Sequence, residues 1–112
     1  MKLLFTTQGE NWASPMDPRF GRTQMALVYD ETTNQLKVLS NSGKDDAQGA
    51  GLKMAANVLK ANIDVIITGN GAGEKAIKVL ENSSVKLFVG AGEMCVQEAY
   101  EAYKKGALAQ QL

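Results

Sequence analysis

Residues 65–68, Val65-Ile66-Ile67-Thr68, form an apolar run with no polar alternation. A strand wet on one face alternates apolar and polar side chains. An unbroken run therefore predicts a strand covered on both faces, as at the parallel centre of an α/β sheet. Such a sheet needs helices on both sides, and that requirement organises the reading of the rest of the chain.

Lys2 to Thr7 is a short β-prone run, followed by a polar, proline-containing stretch from Gln8 to Thr23 that reads as a long loop. Met25–Tyr29 and Leu36–Leu39 read as two antiparallel strands joined by the hairpin connection Asp30 to Gln35. Leu52, Ala55, Ala56 and Leu59 stand at i, i+3, i+4 and i+7 and predict one helix face. Asp45 or Asp46 is its expected N-cap, and Asn62 its expected stop. The same spacing recurs at Gly73, Ala76, Ile77 and Leu80, and at Val96, Ala99, Tyr100 and Tyr103, with the strand Lys86–Val89 between. Gly106 closes the last helix behind Lys104 and Lys105. The order is β-β-β-α-β-α-β-α, which predicts a five-stranded mixed sheet with helices on both sides, right-handed parallel crossovers and a frayed tail from Ala107 to Leu112. The residues expected to be most buried are Leu4, Leu59, Val65, Ile66, Ile67, Ile77, Leu80, Leu87 and Val89.

The 112 residues suit a single domain spanning 1–112. Twelve basic residues balance twelve acidic ones, which argues against a nucleic acid or an anionic membrane as partner. The single cysteine, Cys95, and the absence of histidine exclude an intrachain disulfide, a protein-only zinc site in a monomer, and Ser-His-Asp or Cys-His catalysis. With no run of about 18 apolar residues and no leader-like start, a reduced, cytoplasmic setting is the expectation.

In open α/β sheets, ligands bind beyond the carboxyl ends of the parallel strands, so the loops after the first, fourth and fifth strands should share one rim. Gly69-Asn70-Gly71-Ala72-Gly73 joins a buried strand to a helix. Its amides suit an anion, or its glycines serve only a tight turn and close helix packing. It has neither a dinucleotide fingerprint, since Glu74 stands at the third glycine position, nor a Gly-Lys-Ser/Thr ending. Cys95, beside Met94 near a helix start, is either a soft ligand or a small buried hydrophobe. Arg19 and Arg22 either grip an anion or clamp the loop through Asp17, while Trp12 and Phe20 read as anchors of that loop. The length of the first loop predicts poor order from Gly9 to Pro18 without a ligand.

Three stretches together resemble the dinitrogenase iron-molybdenum cofactor biosynthesis family: Asp17-x-Arg19-Phe20-Gly21-Arg22; Gly49-Ala50-Gly51 leading through Ile63–Gly69 into Gly73-x-x-Ala76; and Glu98 to Leu108. The resemblance implies a ribonuclease H-like layout, a five-stranded mixed sheet flanked by helices. It also implies a small non-enzymatic binder or carrier of an anionic iron-sulfur or molybdenum-sulfur cluster, or of a molybdenum-type oxyanion. Arg19 and Arg22 would neutralise charge, the amides of Gly69, Gly71 and Gly73 would cradle the cargo, and Cys95 would supply a thiolate to the metal. One thiolate cannot hold a cluster alone, so this reading favours a homodimer or a cluster-biosynthesis partner protein that donates ligands.

Two other classes stand beside it. A metal-dependent nuclease needs carboxylates converging on the central strands, but Lys2 to Thr7 has none and Asp64 precedes its strand at the wrong end. A regulatory or scaffold domain acting through protein contacts, with no ligand, fits the missing histidine and the neutral charge.

Overall fold

The structure, a computed structural model, describes residues 1–41, 43–45 and 49–112. The elements are β1 (Lys2–Thr7), β2 (Met25–Asp30), β3 (Gln35–Leu39), α1 (Ala50–Lys60), β4 (Val65–Ile67), α2 (Glu74–Leu80), β5 (Lys86–Val89), α3 (Val96–Lys104) and β6 (Ala109–Gln110). They build one sheet in the order β3-β2-β1-β4-β5-β6. β1, β4 and β5 run parallel, and β2, β3 and β6 pair antiparallel with their neighbours.

β4 takes a central place because all three of its residues are buried and both neighbours pair with it, Leu4 with Ile66 on one side and Ile66 with Leu87 on the other. Alternate side chains feed two cores. Leu4, Ala26, Ile66 and Leu87 pack with Met54, Val58, Ala76 and Leu80 of α1 and α2. Leu3, Phe5, Leu27, Val65 and Ile67 pack with Val96 and Ala99 of α3. Burying a side chain such as Ile66 fully contributes about 1.5–3 kcal/mol, so a run of three sealed on both faces is a strong determinant of this layout.

The sheet has six strands, not the expected five. The tail predicted to fray pairs with β5, Ala109 opposite Val89 and Gln110 opposite Phe88. The Leu87 N–H donates to the Leu112 carbonyl at 2.9 Å and the Gln111 N–H to the Leu87 carbonyl at 2.8 Å. The cause is the edge of β5, whose backbone groups need partners and find them in the returning chain.

The face expected for α1 is wrong in three of its four residues. Leu52 and Leu59 are 38% and 39% exposed, and Ala56 is exposed with them; Ala55 is buried as expected, but with Met54 and Val58 as its companions. In this register Gly51 faces α2, where a Cβ would make an ordinary contact with the Ala76 methyl at 3.7 Å. The helix starts from Gly49 as N-cap rather than from Asp45; Asp46, the other expected cap, lies outside the described residues. Ile77 and Val89, expected among the most buried residues, are only partly buried. Asn62 does stop α1, at φ 57°, and Gly106 stops α3, at φ 73°. In both, the residue after the left-handed position donates back into the helix, Ile63 to Val58 and Ala107 to Ala102.

Among the described residues, no helix is long and apolar enough to cross a membrane.

Candidate functional site

The parallel strands β1, β4 and β5 deliver three loops to one end of the sheet, 8–24, 68–73 and 90–95, and these interlock. Pro18 is wedged between the other two: a Cβ on Gly69 would lie 2.6 Å from Pro18 Cα and 2.8 Å from Gly92 Cα. Only a residue without a side chain permits that approach. The Asn70 N–H donates to the Pro18 carbonyl at 2.8 Å, Gly90 to Gly69 at 2.9 Å, and Met16 to Met94 at 2.9 Å. Beneath them the buried hydroxyls of Thr6 and Thr68 meet at 2.7 Å, and Thr6 Oγ1 donates to the Asp17 carbonyl at 2.7 Å.

The first loop is therefore pinned, in place of the poor order expected from Gly9 to Pro18. Pro15 bridges Cys95 and Met16 bridges Thr7. The Val96 and Gln97 N–H groups at the start of α3 donate to the Ser14 and Trp12 carbonyls at 3.0 and 2.9 Å. Trp12 packs on the α3 side of the sheet and Phe20 is buried on the other, so both aromatics anchor the loop.

Asp17, 1% exposed, organises the turn that follows. Its carboxylate accepts from the Arg19 and Gln24 backbone N–H groups at 3.0 and 2.9 Å, and from Arg19 Nε and Nη2 at 2.9 and 2.8 Å. Burial pushes the Asp17 carboxyl up, but these bonds outweigh it and hold the group below its ordinary range. Arg19 lies immediately after the wedge residue, half exposed, with two of its nitrogens already committed to Asp17. Arg22 is exposed one turn further on. Between them Gly21 touches the start of α1, where a Cβ would stand 2.5 Å from the Gly51 nitrogen. That contact joins two of the stretches singled out in the sequence.

The glycine loop divides into three roles. Gly69 is packed against Pro18 and Gly92. Gly71 lies under the Gln111 side chain, whose Oε1 a Cβ would overlap. Gly73 is the exposed N-cap of α2 with open space around it. Gln111 was not legible as part of this region: its amide pairs with both backbone groups of Ala72.

Cys95 is the N-cap of α3, partly exposed. Glu98 accepts the Cys95 backbone N–H at 3.0 Å and a bond from its thiol, and these hold the Glu98 carboxyl below its ordinary range. Among the described residues no group of three or more Cys, Asp or Glu side chains is gathered for a metal ion. Asp64 sits at the opposite end of the sheet, accepting the Lys2 N–H at 2.8 Å.

A family model described as dinitrogenase iron-molybdenum cofactor matches residues 1–106. The apo form of the orange protein from Desulfovibrio gigas superposes with a TM-score of 0.89 at 25% identity, over 97% of this chain and 91% of that one. The NMR structure of a candidate NifB protein from Thermotoga, placed in the DUF35 family, gives a TM-score of 0.81 at 26% identity over the same shares. No curated protein matches the chain.

Proposed function

Because the chain belongs to the dinitrogenase iron-molybdenum cofactor family, we propose that it is a non-enzymatic binder or carrier of an anionic metal-sulfur cluster of the iron or molybdenum type, or of the corresponding oxyanion, at the interlocked rim. The observation that supports this reading is the seat of Pro18 against Gly69 and Gly92, which brings the first loop, the one whose sequence carries Arg19 and Arg22, against both glycine-containing loops. Guanidinium groups neutralise an anionic cargo, and the Gly69, Gly71 and Gly73 amides are the proposed donors; of these Gly73 stands in open space, while the intervening Asn70 and Ala72 amides are already engaged by Pro18 and Gln111. Cys95, at the end of the same rim, is the one thiolate donor to a metal. With a single thiol, the cargo must keep most of its own sulfide ligands, held from outside by charge and hydrogen bonds. A homodimer or a cluster-biosynthesis partner would complete the ligand set. The strand order β3-β2-β1-β4-β5 supports a ribonuclease H-like layout with β6 added at its edge.

The test is molybdate and tetrathiomolybdate affinity. Replacing Arg19 and Arg22 together by alanine should weaken binding by roughly tenfold or more, the loss expected of two charge-assisted contacts. Unaltered affinity in a folded double variant would place the anion elsewhere.

A second reading, a regulatory or scaffold domain acting through protein contacts, is favoured by one observation. Several candidate groups are engaged internally: Arg19 with Asp17, Ala72 with Gln111, and Cys95 with Glu98.

A further inference from the structure

On the α3 face of the sheet, Trp12 stands edge-on to Tyr29 with centroids 4.9 Å apart, and tilted by 49° to Tyr100 at 5.7 Å. Its ring, with Gln97, Tyr100 and Glu101, lines an open cavity of about 330 Å³. The three α3 residues fall at i, i+3 and i+4, so they form one stripe facing the indole. Two aromatic rings supply the walls, and Glu101 is the acidic side chain among the described lining residues.

The cluster already seats one cation. Lys104 Nζ lies 5.6 Å from the Tyr100 ring centroid and 3.3 Å from Glu31 Oε2. The same carboxylate oxygen accepts the Tyr100 hydroxyl at 2.5 Å, which fixes the ring. Lys104 is not among the described lining of the cavity.

We propose that this cavity receives an arginine side chain of a partner protein. Glu101 repels an anion and, exposed at the edge of the cavity, offers a cation a carboxylate that an apolar occupant would leave unused. A guanidinium stacks its plane on indole and phenol rings and presents forked donors to a carboxylate, whereas an ammonium offers only a point charge. The site is continuous with the rim: the Trp12 carbonyl accepts the Gln97 N–H, and the same loop carries Pro15, Met16, Asp17 and Arg19. A partner that grips Trp12 thereby holds the loop that frames the rim.

Trp12 is the only tryptophan, so its emission reports the cavity. The full chain is titrated with a capped Gly-Arg-Gly peptide and with its lysine and citrulline counterparts, citrulline being the neutral isostere of arginine. The arginine peptide should give a saturable change with a dissociation constant of about millimolar. Citrulline should bind roughly tenfold more weakly, lysine more weakly than arginine, and Glu101→Gln should weaken the arginine peptide about fivefold. Tyr100→Ala should abolish the response. If that variant does not fold, the exposed Glu101→Gln substitution decides. A response that does not saturate, an equal response to citrulline or lysine, or indifference to Glu101→Gln would overturn the proposal.

Discussion

Gln111 and Ala72 are joined by two hydrogen bonds, the Ala72 N–H donating to Gln111 Oε1 at 2.9 Å and Gln111 Nε2 donating to the Ala72 carbonyl at 3.0 Å. The side chain of a residue near the end of the chain thus satisfies the backbone of the glycine loop as a strand would. Gln111→Ala should raise amide exchange at Ala72 by roughly tenfold, about the worth of such bonds, and leave Ile66 unchanged. Equal protection at Ala72 in the variant would mean that other contacts hold the loop.

The Asp17 carboxylate is the keystone of the turn that presents Arg19. Asp17→Ala leaves the Arg19 and Gln24 N–H groups without their acceptor and should cost about 2–4 kcal/mol in urea unfolding. A cost under about 0.5 kcal/mol would show that the loop is held by the Pro18 wedge alone.

The same carboxylate gives an acid signature. Its folded pKa is lowered from 3.8, so its contribution is present above that value and is lost as pH falls through the folded value. Urea midpoints between pH 6 and 2 should fall less steeply for Asp17→Asn than for the parent chain; parallel curves would contradict the assignment.

On the alkaline side, burial and the hydrogen bond to Glu31 push the Tyr100 phenol up to about 12. Because the folded pKa is raised, the stabilisation is present below the ordinary value of 10 and is lost between there and 12. Absorbance at about 295 nm, a phenolate band, should show a tyrosine titrating late, and Glu31→Gln should bring it down.

Two glycines of the same loop should behave differently. Gly69→Ala drives a methyl into Pro18 and Gly92 and should cost about 1–3 kcal/mol. Gly73→Ala has open space and an ordinary φ of −70°, and the entropy removed from the unfolded chain offsets the poorer N-cap, so it should change stability by less than about 0.5 kcal/mol. Equal losses at both positions would contradict the wedge.

Much of this architecture is legible in the chain itself. Val65–Thr68 declares a sealed strand because it lacks alternation, and Asn62 and Gly106 declare helix ends because a left-handed backbone suits those residues. The register of α1 is not legible, since the helix carries two apolar stripes and only its packing in the core, through Met54, Ala55 and Val58, selects between them. β6 escapes notice because Ala107 to Leu112 has no strand character of its own, its pairing being dictated by the edge of β5. At the rim, the Asp17–Arg19 pairing is local and foreseeable. The contact of Gln111 with Ala72 spans 39 residues and is not.

The most direct test of the account is metal content after anaerobic reconstitution with iron, molybdate and sulfide, read together with visible absorption. The protein should be coloured and retain metal through gel filtration, with retention lost in the Arg19→Ala/Arg22→Ala variant. A colourless, metal-free protein with a fully reactive Cys95 thiol would contradict it.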